Sequence, residues 1–83
     1  MNIRFHPHAL ERMAERGATA AEVGATIQQG EGFPAKFDRN GFRRNFAVKG
    51  TWQGRPYQNK QIELFAVKEG DDWVVLTVIV KYF

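Results

Sequence analysis

The chemistry legible in this chain is concentrated in one run, His6-Pro-His-Ala-Leu-Glu-Arg-Met-Ala-Glu-Arg-Gly17. Read as a helix entered at Pro7, it places His8, Arg12 and either Glu15 or Arg16 on one stripe, because residues three or four apart are neighbours there. An imidazole moves protons near neutral pH, and a guanidinium fork meets two phosphate oxygens at once. That combination suits a phosphodiester, and RNA in particular. A base must take the proton from the 2′-hydroxyl, cations must stabilise the dianionic phosphorane, and an acid should protonate the leaving 5′-oxygen. His8 is the candidate for proton transfer, with Arg12 and Arg16 on the phosphate; Glu15 and Glu63 are alternative bases. His6, beside Pro7 at the helix entrance, is assigned a structural place and left out of the site. Two residues apart on a regular helix, His6 and His8 would not face each other, and no nearby carboxylate completes a metal site. Neither a metal nor a cofactor is expected. A wet helix face on which Arg12 and Arg16 pair with Glu11 or Glu15 would produce the same pattern.

Charge adds a second signal. Lys36, Arg39, Arg43, Arg44 and Lys49 fall in a stretch whose one acid is Asp38, whereas other acids gather in the first helical stretch and at Glu69, Asp71 and Asp72. Such polarity suits a polyanion on one face, so Lys36, Arg43, Arg44, Lys49 and Lys81 are candidate RNA contacts. A solvated strand exterior would look alike. Arg43 and Arg44 point to opposite sides of one strand, so at most one shares a face with His8. Thr77 stands on a strand that is otherwise apolar up to Val80, and its hydroxyl needs a partner if buried, a need that a bound substrate would meet. Trp52 is either folded back as a lid or free to stack a base; Tyr82 is a rim aromatic that could do the same or donate a proton.

Two helices and then strands must position these groups. Pro7 suits a first helical turn, Leu10, Met13 and Ala14 give an apolar stripe, and Gly17 supplies the stop. Thr19 and Glu22 form a capping box for a second helix that runs to about Gln29, buries Ala20, Val23 and Ile27, and ends at Gly30. Gly24 inside it predicts close packing against the first helix. From Phe33 the period changes to two. Residues 33–38 read as an edge strand weakened by Pro34, and Asn40-Gly41 as a hairpin turn. A second strand alternates Phe42, Arg44, Phe46 and Val48 against Arg43, Asn45, Ala47 and Lys49. After the loop Gly50 to Pro56 come a strand from about Tyr57 to Lys68, a turn at Glu69-Gly-Asp-Asp72, and a last strand from Trp73 to Phe83. That last strand is apolar on both faces through Val80 and so belongs inside the sheet. The order predicted is ααββββ, an α+β fold with two N-terminal helices packed on a four-stranded antiparallel sheet.

At 83 residues with 43% apolar composition, the chain has material for one domain, residues 1–83, and one small core. It has no cysteine, which removes disulfides, thiolate zinc sites and a cysteine nucleophile. Met1-Asn-Ile-Arg-Phe5 runs straight into the chemical segment, so no signal peptide is expected, and no apolar run approaches membrane-spanning length. A soluble, cytoplasmic protein is the expectation.

The pattern His8-Ala-Leu-Glu-Arg-Met-Ala-Glu-Arg-Gly17, followed by a helix ending in glycine and a β-meander closing on Leu76-Thr-Val78, resembles small bacterial toxin domains of the RelE/BrnT-like group. These lie within the barnase–EndoU–colicin–RelE set of ribonuclease folds. The resemblance covers nearly the whole chain; Ala18 stands where the pattern often has a β-branched apolar residue. It implies a RelE-like, microbial-RNase-like fold with His8, Arg12 and Thr77, and with them Arg16, at the recurrent polar positions. It further implies a toxin endoribonuclease that cuts tRNA or mRNA without metal and is neutralised by an acidic immunity protein or antitoxin. The competing expectation is a module of the same fold that binds RNA or protein without cutting. No second histidine is placed as an obvious acid, which favours the binder; a His-Arg-Arg stripe has little structural need, which favours the enzyme.

Overall fold

A computed structural model describes residues 2–83. Its order is β1 (Ile3–Phe5), α1 (Pro7–Arg16), α2 (Ala20–Gln29), β2 (Glu31–Pro34), β3 (Asn40–Ala47), β4 (Thr51–Trp52), β5 (Arg55–Pro56), β6 (Asn59–Glu69) and β7 (Asp72–Tyr82). Five strands form one mixed sheet in the order β1-β7-β6-β3-β2, and β4 pairs with β5 in a separate small hairpin. The expected four-stranded antiparallel ααββββ arrangement is therefore wrong. The strand it lacks is β1, which runs parallel to β7 with Ile3, Arg4 and Phe5 opposite Trp73, Val74 and Val75. Three residues carry almost no periodic signal, and this strand forms because β7 offers it an edge rather than through local preference. With β1 on one side and β6 on the other, β7 lies inside the sheet, as its two apolar faces predicted.

Both helices form as their caps dictate. Gly17 ends α1 in the left-handed region at φ 78, and its N–H donates to the Met13 carbonyl. Thr19 and Glu22 exchange both capping-box hydrogen bonds at the start of α2. The buried faces differ from the expected stripes. Ala9 and Met13 are buried in α1, while Leu10 is 50% exposed; in α2 the buried residues are Val23, Thr26 and Ile27. The shift follows from where the helices lie: α1 packs along β7, and α2 across β3 and β6. Thr26 is buried because its hydroxyl donates to the Glu22 carbonyl one turn back, which leaves no polar atom unpaired. Gly24 faces Ile3 of β1, not α1. Helices and sheet enclose Ile62, Leu64, Ala66, Val75 and Val78.

The β2–β3 connection also departs from expectation. Asn40 and Gly41 lie within β3, paired with Pro34 and Phe33. The turn falls earlier, at Phe37 and Asp38, which adopt φ of 61 and 57. Gly41 has another purpose. A Cβ there would collide with the Phe33 ring, so the missing side chain lets Phe33 lie on the β3 backbone.

Candidate functional site

Three features built by the local sequence converge near the start of α1. The chain leaves β1 with the His6 N–H donating to the Val75 carbonyl at 2.9 Å, which fastens the helix entrance to β7. His6 then caps α1 in an extended conformation, its Nδ1 accepting the His8 N–H at 3.1 Å. Beside it β7 carries a bulge: the register with β6 shifts between Phe65 and Ala66, where Thr77 and Val75 are their partners and Leu76 is the extra residue. Bulges re-aim side chains and recur next to functional sites. Across from both stands Arg39, at the foot of the β2–β3 turn. His6, His8, Arg39, Leu76 and Thr77 together line an open groove of about 390 Å³.

The sequence reading placed His8 and Thr77 in the site, and both line this groove. It left His6 out as a structural residue beside Pro7 at the helix entrance, and used helical spacing only against a two-histidine metal site. His6 stands before the first turn, so the helical spacing argument does not apply to it, and it holds a capping and a groove position together. The cap also sets its chemistry. With Nδ1 accepting, the neutral ring carries its proton on Nε2, which can donate a hydrogen bond.

Arg12 and Arg16 are not part of the groove lining. Arg12 pairs with Glu15 at 2.8 Å on the helix surface. Arg16 donates through Nη1 to the Val78 carbonyl at 3.1 Å, tying the end of α1 to β7. The geometric reason is simple: residues on one helical stripe share a face, but eight positions span about 12 Å along the axis. Arg16, that far from His8 along the helix, uses its guanidinium on the Val78 carbonyl.

The candidate RNA contacts do not form one patch. Lys36 lies in the β2–β3 turn, whereas Lys49 borders a groove with Trp52, Lys60 and Tyr82 beyond the opposite end of β3. The eight residues of β3 alone span about 26 Å. Arg43 stacks on Phe33, 4.3 Å from the ring centroid, with its Nε buried and unpaired, while Arg44 lies over Phe46 on the other face of the strand. Lys81 is exposed near the end of β7, away from the histidines along the strand.

Trp52 is a lid and not a free platform. It stacks on Tyr82 with centroids 5.1 Å apart and an interplanar angle of 11°. Tyr82 in turn donates to the Arg16 carbonyl at 2.6 Å. Burial, and then the nearby Glu22 charge, raises the Tyr82 pKa above 10.0. In the same cluster Lys60 donates to the Gly17 carbonyl at 2.8 Å and pairs with Glu22 at 2.8 Å. Burial works to raise the Glu22 pKa, but hydrogen bonds from Lys60 and the Thr19 N–H outweigh it and hold the carboxyl below 4.5.

Sequence reasoning missed Arg39 as a site residue. Between an edge strand read over 33–38 and a turn read at Asn40-Gly41, Arg39 counts only as one of the basic residues of that stretch. Among the described residues no three His, Asp or Glu side chains cluster as a metal site, and no helix is long and apolar enough to cross a membrane. Residues 5–80 match a family described as a domain of unknown function, DUF4258. Comparison with curated proteins and with solved structures gives no match.

Proposed function

We propose that this chain, which belongs to the DUF4258 family over residues 5–80, is an endoribonuclease whose chemistry lies in the groove of His6, His8, Arg39 and Thr77. The observation that carries the reading is the convergence of His6, His8, Arg39 and Thr77 on one open groove. His8 takes the proton of a ribose 2′-hydroxyl. The 2′-oxygen then forms a bond to phosphorus, the bond from phosphorus to the 5′-oxygen breaks, and water protonates the departing oxygen. The products are a 2′,3′-cyclic phosphate and a 5′-hydroxyl. Arg39, whose guanidinium has no ion-pair partner among the described residues, stabilises the phosphorane. The capped His6 contributes Nε2–H as a hydrogen-bond donor to a phosphate oxygen. Thr77 positions the ribose through its hydroxyl.

The resemblance to RelE/BrnT-like toxin domains supports the same reading and extends it. A toxin that cuts tRNA or mRNA acts in the bacterial cytosol and needs an acidic immunity protein or antitoxin, which the net charge of +3 favours electrostatically. The second reading, an RNA-binding module, is favoured by one feature: Arg12 and Arg16 are held elsewhere, so the groove has a single guanidinium.

One experiment separates them. Wild type and His8→Ala are incubated with total tRNA in EDTA, with thermal unfolding as a control. Nicking by the wild type that falls by about 100-fold or more in the variant, at unchanged Tm, is the expected result. Equal cleavage by both removes His8 from the mechanism. Binding without cleavage makes the chain a binding module.

A further inference from the structure

We infer that the tip of the β2–β3 hairpin is a nucleobase-stacking subsite for single-stranded RNA, seated beside the groove of His8; the inference rests on the RNA reading above. Its first support is a residue in the wrong place for folding. Arg39 N–H donates to the Lys36 carbonyl at 3.3 Å, closing a tight turn with Phe37 and Asp38 at φ 61 and 57. Both central residues are left-handed, as in the turns that normally take Asn or Gly. A bulky L-residue is strained there, and strain of this kind collects at functional positions. Packing does not explain the choice either, since Phe37 is 82% exposed.

The second support is what lies beside the ring. Phe37 borders an open groove of about 440 Å³ whose walls include Phe33 and Phe65, set edge to face with centroids 6.1 Å apart. Lys36 and Arg39 line the same groove, and Arg39 is 5.8 Å from the Phe37 ring centroid. Aromatic faces with cations between them take a flat base and its phosphate.

The third support is continuity. Arg39 lines both this groove and the one containing His8, and Phe65 is the β6 partner of Thr77. A base on Phe37 would thus sit next to a phosphate at Arg39. The arrangement selects single strands, because a base in a duplex has both faces already stacked.

The test measures binding apart from cleavage. A short labelled single-stranded RNA with 2′-O-methyl riboses is titrated by fluorescence anisotropy into wild type, Phe37→Ala, Phe37→Trp and Phe37→Gly. Its duplex and an abasic oligomer of equal length serve as comparisons. Phe37→Ala should weaken single-strand binding by about 5- to 100-fold, and Phe37→Trp should keep it. The wild type should bind the duplex and the abasic oligomer about as weakly as Phe37→Ala binds the single strand. Phe37→Gly should lose binding while its Tm rises, since glycine accepts the left-handed turn without strain. Equal binding by wild type and Phe37→Ala, or by the abasic and base-bearing oligomers, overturns the subsite. So does absent RNA binding, or a Tm that falls with affinity in both Ala and Gly variants. If tRNA is not cut yet Phe37→Ala discriminates, the catalytic reading fails and the subsite stands. If tRNA is cut and Phe37→Ala binds normally, the reverse holds.

Discussion

The two ends of α1 are built from similar residue types and put to opposite uses. At the C-terminal end the polar groups are engaged within the protein. Arg16 donates to Val78, Tyr82 donates to Arg16, Lys60 bridges Gly17 and Glu22, and Trp52 lies flat on Tyr82. At the N-terminal end the His6 Nδ1 is used by the cap, while the Thr77 hydroxyl and the Arg39 guanidinium find no hydrogen-bonding partner among the described residues. Folded chains pair their buried polar groups, and the groups they leave open around a concavity are the ones available to a ligand. The difference teaches that a stripe on a helix is a direction and not a site. One end of the stripe closes the fold, the other faces the groove, and about 12 Å of helix separates them.

The most direct way to break this comparison is to attack the closed end at Gly17. Its φ of 78 disfavours any side chain, and an added Cβ would lie 2.6 Å from the Trp52 ring and 2.7 Å from the Tyr82 hydroxyl. Gly17→Ala should cost about 2–4 kcal/mol, from the left-handed strain and the displaced aromatic pair together. In a domain of this size that lowers Tm by roughly 10 °C or more, measurable by circular dichroism. If the Tm holds, the stacked lid is not part of what keeps the helices on the sheet.

A smaller effect, with a pH signature, comes from the same end. The Glu22 carboxyl is held below its ordinary 4.5 in the folded protein, so its contribution is fully present above that value. It is lost as pH falls through the lowered folded pKa, where the folded carboxylate finally takes the proton. Glu22→Gln should lower Tm at neutral pH by the equivalent of about 1–2 kcal/mol, since it leaves half-buried Lys60 without its counter-charge. The variant should also lose less stability than wild type on acidification below 4.5. Parallel Tm-against-pH curves for the two proteins would show that Lys60 and Glu22 contribute nothing as a charged pair.

The closed end was the more legible in sequence, for a physical reason. Thr19 with Glu22, and Gly17 after a helical run, are local rules satisfied within four residues, and both caps form as read. The change to a period of two likewise placed the long strands, and the two apolar faces of the last one put β7 inside the sheet. What was not legible depends on chain crossings. β1 is three residues recruited by an edge, and the β2–β3 turn uses Phe37 and Asp38, where a bulky Phe hides the turn signal of its neighbour, while Gly41, read as a turn residue, is a seat for Phe33. The site inherits those gaps. His8 and Thr77 were placed in it from their own chemistry, but Arg39 and His6 enter only once the bulge at Leu76 and the true turn are known.

Arg12 gives the finest cut between the two ends, because it lies midway along the stripe and belongs to neither. It is the residue that the sequence favours most for holding phosphate, yet its partner is Glu15, in an ion pair whose side chains are 35% and 55% exposed. Exposed pairs of this kind contribute at most a few tenths of a kcal/mol, so Arg12→Ala should leave Tm within about 2 °C of wild type. tRNA nicking should also persist in the variant if Arg39 holds the phosphate. Arg16→Ala provides the contrast: loss of the charged hydrogen bond to the Val78 carbonyl should cost about 1–3 kcal/mol of stability. A large loss of nicking in Arg12→Ala at unchanged Tm would move the phosphate site onto the outer face of α1. It would also turn the open end into a longer surface that includes the middle of the helix.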